Sequence, residues 1–73
     1  MLKFGNEELQ WDKIASISNS NGNVIATDIH NTDHVIGNWD DATHVLVIQN
    51  LIEAGKVASS IGGTTIVIII DDL

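Results

Sequence analysis

The chain has 73 residues, a net charge of −7, three lysines, no arginine and no cysteine. A chain this short carries one domain, expected over residues 1–73, near the lower end of what folds alone, and the lack of cysteine excludes disulfides and thiolate metal centres. With three cations against ten carboxylates, phosphate contacts have almost no donors, so direct nucleic-acid binding is disfavoured. The one long apolar run falls far below the roughly 20 residues of a membrane span, so no membrane role is expected.

In chain order, Leu2-Lys3-Phe4 predicts a first short strand ended by Gly5-Asn6. Glu8-Leu9-Gln10-Trp11 then alternates, placing Leu9 and Trp11 on one face, with a bend at Asp12. Lys13 to Ser18 continues as a strand in which Ala15 and Ile17 share a face. Asn19-Ser20-Asn21-Gly22-Asn23 is the clearest turn, because Asn-Gly tolerates the positive φ angles of a two-residue hairpin. The β-branched arm Val24 to Ile29 returns from it, and His34-Val35-Ile36 forms a third arm before Gly37.

The spacing predicts a helix from Asp40 or Asp41 to about Ala54. Asn38 or Asp40 is the expected cap, Val45, Ile48, Leu51 and Ile52 form the core stripe, and Gly55-Lys56 is the stop. The β-branched run from Thr43 to Ile48 also suits a strand; length and caps favour the helix. Val57 to Gly63 connects to a last strand over residues 64–70, with Ile66, Ile68 and Ile70 on one face and Val67 and Ile69 on the other. No repeat or heptad array stands out. The expected fold is therefore α+β: a β-meander of about four to five short strands, one helix over 40–54, and a C-terminal strand over 64–70 buried on both faces, by the helix and by a neighbouring subunit.

The run Leu9 to Ile17, followed by Asn21-Gly22, Thr27-Asp28 and a helix, resembles the strand-turn-strand-helix layout of small bacterial sheet modules such as the DNA-binding domain of LytTR-type regulators. The resemblance implies DNA contact, which the missing basic residues oppose, and no diagnostic motif accompanies it; no family is assigned. A strand apolar on two faces implies instead a non-enzymatic assembly protein. That would be a small acidic structural or accessory subunit, of the kind found among phage proteins, located in the cytoplasm or a virion and paired with itself or a larger assembly. The interface residues expected from this are Val67, Ile69 and Trp39. The alternatives are an acidic inhibitor seated on a basic site, with its carboxylates on one face, and a small-ligand binder with an intersubunit pocket.

No nucleophile elbow or phosphate-binding loop is present in the sequence, and catalysis is not expected. Ligand-type side chains cluster only at His30, Asp33 and His34, with Asp28 before them and Asp40, Asp41 and His44 after. They flank a turn where polar residues belong anyway, and their spacing matches no zinc signature, so no metal and no cofactor are expected. A chelator should leave the melting temperature unchanged; a fall of several degrees that zinc restores would contradict this.

Overall fold

The computed structural model describes residues 1–62 and 66–70. Its elements are β1 (Leu2–Phe4), β2 (Glu7–Leu9), β3 (Ile14–Ser20), β4 (Asn23–Asp28), β5 (Asp33–Asn38), α1 (Ala42–Gly62) and β6 (Ile68–Ile70), with a 3-10 turn at Trp11–Lys13 between β2 and β3. The fold is mixed α+β, but the described strands number six and form two sheets, β2-β1-β6 and β3-β4-β5. The 3-10 turn is what separates them. It takes Trp11 off the strand that ends at Leu9, so the expected alternation of Leu9 with Trp11 is broken, and the buried indole is aimed at the helix.

The hairpin forms at the expected place. Asn21 and Gly22 take φ values of 51° and 84°, the positive pair that matches a tight turn to strand twist. Gly22 is required for space as well, since a Cβ there would lie 2.6 Å from the Trp39 carbonyl oxygen. In β3 the register slips between Ile14 and Ser16. This bulge makes Ile14 and Ile17 the buried pair and leaves Ala15 exposed, which corrects the expected Ala15–Ile17 face.

The helix starts at Ala42, where the Asp41 carboxylate accepts the Thr43 N–H at 2.8 Å; Asp41 is the cap, while Asn38 is bonded to Asn23. It runs to Gly62, past the expected stop and through the expected connector. Gly55-Lys56 does not end it, because Gly55 is buried at a close approach. A Cβ at Gly55 would sit 2.6 Å from Ile68 Cδ1 and 3.0 Å from the Trp11 ring. The core lies between α1 and the sheets, with Leu2, Ile14, Val24, Ala26 and Ile52 fully enclosed. Burial of each large member contributes about 1.5–3 kcal/mol.

Strand β6 pairs in parallel with β1, Leu2 opposite Ile68 and Phe4 opposite Ile70, at the edge of its sheet. The expected strand is shortened to Ile68–Ile70; residues 64 and 65 lie outside those described, and Ile66 and Val67 precede it without strand pairing. Ile70 is buried and Ile66 and Ile68 are half-buried, while Val67 and Ile69 are exposed, Ile69 at 67%. Within the chain the strand is therefore covered on one face, not two. Helix α1 reaches only the inner side, through Gly55 against Ile68, and the outer side carries the neighbouring Lys3 and Glu8.

Replacing Gly55 by leucine is expected to cost about 1–3 kcal/mol through overpacking against Trp11 and Ile68. This is the opposite of the stabilisation that removing glycine from an exposed helix brings. Urea denaturation followed by tryptophan fluorescence measures it, and an unchanged or raised midpoint would show that the approach is not tight.

Candidate functional site

An α-helix turns 100° per residue, so the two sides of α1 can be read from its sequence once its length is known. Val45, Ile52 and Gly55 are buried on the inner side and Ile48 is half-buried. Leu51, expected in that stripe, is exposed, because the line of contact with the sheets runs through Ile48, Ile52 and Gly55, one position round the helix from it.

Among the described residues the outer side carries Leu46, Val47, Leu51, Ala54, Val57, Ala58 and Ile61, with Asn50 as its polar member and no charge. All are exposed, Val57 at 56% and Ile61 at 80%. Gln49 and Glu53 sit between the two sides, Lys56 and Ser59 continue the inner side one turn beyond Ile52 and Gly55, and Gln49 fastens α1 to β3 by bonding Asn19 at 2.5 Å. A helix that is apolar on both sides is ordinarily one that is covered on both. Val47, Leu51, Ala54, Ala58 and Ile61 also step by four, three, four and three, the spacing of a seam between packed helices. Sequence reasoning missed this surface by ending the helix at Ala54, which leaves three members of the seam; the signal was present in residues 47–61 once Gly55 is read as a packing contact.

The interface residues expected from sequence lie on other elements. Val67 and Ile69 are exposed on the sheet β2-β1-β6, where Ile69 is level with Lys3, whose ammonium is 4.0 Å from Glu8. They make a smaller patch with a charged margin. Trp39 is half-buried at the entry to α1. Its ring stacks on His44 with centroids 5.8 Å apart, and the Trp39 backbone N–H donates to the Gly22 carbonyl at 3.0 Å. With Asn19, Asp40, Val45 and Leu46 it lines an open cleft of about 240 Å³. Ordinary ligand pockets hold roughly 300–1,000 Å³ and enclose their occupant, so this cleft is a small one.

The expected metal candidates do not converge. Asp33 accepts the Thr27 hydroxyl at 2.7 Å, while the His34 ring is 2.8 Å from the Asp28 carboxylate and edge-on to Phe4. His30 is exposed and contributes its backbone N–H to Asp28. Among the described residues no group of three His, Asp or Glu side chains is placed to hold a metal ion. Sequence reasoning named Asp28 in this cluster but missed its role: it accepts the N–H groups of His30 at 2.8 Å and Thr32 at 3.0 Å and ties the loop between β4 and β5 to His34. The Asx-turn pattern of an aspartate two residues before a loop N–H was the available signal.

Comparison with family models, with curated proteins and with solved structures finds no match. The surface is therefore read from its own chemistry, and that chemistry separates a loop lock from an apolar face. In the lock, the His34 ring and the two backbone N–H groups hold the Asp28 carboxyl well below its ordinary 3.8, at about 2. A depressed carboxyl pKa gives stability that is fully present above the unfolded value and is lost as pH falls through the folded one. Asp28→Ala is thus expected to be less stable than the parent at neutral pH, with the gap closing between about pH 4 and pH 2. Denaturation midpoints of both proteins across that range measure it, and a gap independent of pH would assign the loss to packing alone.

Proposed function

We propose that this chain is a non-enzymatic assembly protein, a small accessory or structural subunit that works by laying the outer side of α1 against another protein surface. One observation supports this above the rest: the nine exposed positions from Leu46 to Ile61, of which Asn50 and Ser60 are polar, carry no charge in a chain whose net charge is −7. A surface helix that faced only water would carry its carboxylates and lysines there. Here they stand elsewhere, on β1, β2, the turns and the margins of α1. Contiguous apolar surface of this kind, rimmed by polar side chains such as Gln49, Glu53 and Ser60, is the usual mark of a protein contact.

The remaining features fit the same reading. The Asp28–His34 pair is committed to holding a loop, and the Trp39 cleft is smaller than an ordinary ligand pocket. Val67, just before β6, and Ile69 on its outer side offer a second, narrower contact for a larger assembly. Among the described residues no helix is long and apolar enough to cross a membrane. The proposed setting of the subunit is the cytoplasm or a virion.

Light scattering over a range of concentrations, run beside fluorescence of a dye that binds apolar surface, tests the proposal. The expected result is either an assembly that persists in about 0.5 M sodium chloride, since screening acts on charge pairs and not on apolar burial, or a monomer that binds the dye. In both cases Ala54→Glu should abolish the signal while circular dichroism retains the helix. A monomer that binds no dye, and that Ala54→Glu leaves unaltered, would overturn the reading.

A further inference from the structure

We infer that the occupant of the outer side of α1 is a second copy of this chain, docked so that the two helices run antiparallel about a two-fold axis at Ala54. This rests on the proposed assembly function and names its partner. The first argument is the distribution of size along the seam. Val47 and Ile61 each stand seven residues from Ala54, Leu51 and Val57 three, and Asn50 and Ala58 four. A two-fold axis through Ala54 therefore sets Val47 against Ile61 of the second copy, Leu51 against its flanking Val57 and Ala58 against its Asn50, with the smallest side chain where the helices are closest. An isologous interface requires such self-complementarity. The alanines let the axes approach to about 8 Å, the short end of helix packing distances.

A parallel pair fits less well. It would stack Ala54 on Ala54 and then Ala58 on Ala58, two successive thin layers with nothing large to fill them. It would also bring together two helix starts that each carry Asp40 and Asp41, whereas the antiparallel arrangement keeps those carboxylates at opposite ends.

Charge and size point to the same occupant. Two chains of −7 repel, so they can share only a surface that buries no carboxylate, and this side of α1 is uncharged. The seam from Val47 to Ile61 spans about 21 Å of helix. Two such faces with their flanking Leu46 and Val57 bury on the order of 1,000 Å² in all, the size at which a well-fitted contact becomes specific.

The chain contains no cysteine, so single cysteines report the geometry directly. Light scattering should return twice the 7.9 kDa chain mass. Under mild oxidation Ala54→Cys should cross-link with itself, while Val47→Cys and Ile61→Cys should cross-link only when mixed. Self-cross-linking of Val47→Cys and of Ile61→Cys, each alone, would overturn the antiparallel arrangement, and a dimer that survives Ala54→Glu would place the contact elsewhere. A monomer that binds apolar dye through this face would sink the self-pairing and leave the assembly function standing with a different partner; a monomer that binds none would remove both.

Discussion

The indole of Trp11 joins the parts of this fold. Its ring lies against the bare backbone of Gly55 and beside Ile68, and its N–H donates to the Ile66 carbonyl at 2.7 Å. One side chain thereby locates the 3-10 turn, the middle of the helix and the entry to β6. The donated hydrogen bond allows so large a ring to be buried without an unsatisfied polar atom, and the glycine removes the side chain that would hold helix and indole apart. The shape of α1 follows from this contact. A glycine that ordinarily ends a helix is placed inside one, so the helix continues to Gly62 and carries its apolar outer side beyond the edge of its own core.

Among the described residues one α-helix serves two sheets. The inner side of α1, from Val45 through Ile52 to Gly55, closes over β3, β4 and the Trp11 turn, while the second sheet is joined to the first through Phe4 against His34. Asp28 holds His34 in that position by accepting its hydrogen bond and those of the loop beyond it. The loop lock, the sheet junction and the ring on β5 are thus one arrangement. Among the described residues the outer surfaces of α1 and β6 keep apolar side chains that no further element covers.

The two apolar surfaces differ in what stands around them. On β6, Ile69 is level with Lys3 of the Lys3–Glu8 pair, so a contact there has a charged margin that salt weakens. On α1 the seam is continuous, and its alternating four- and three-residue steps are the period of helix against helix. The two surfaces therefore differ in shape: α1 presents a seam of helix period, and β6 a shallower patch at the sheet edge.

Features set by one residue's own backbone preference were legible before folding. Asn21-Gly22 announces a hairpin because both residues tolerate positive φ, and the alternation of Ile66, Ile68 and Ile70 with Val67 and Ile69 states which side chains share a face, since a strand has period two. A helix after Trp39 with an aspartate at its start was legible for the same reason, although the cap is Asp41. Features set by what approaches a residue from elsewhere in the chain were not. Gly55 reads locally as a stop and is a contact with Trp11; Ala15 reads as inward and is turned out by a bulge; Leu51 reads as core and faces outward. The meander reads as one sheet, and the turn at Trp11 makes two. Local φ and ψ preferences are encoded within a few residues, whereas the length of a helix, the side it buries and the place where a sheet divides depend on close approaches between residues more than forty positions apart, as Trp11 and Gly55 are, which exist only once the chain has folded.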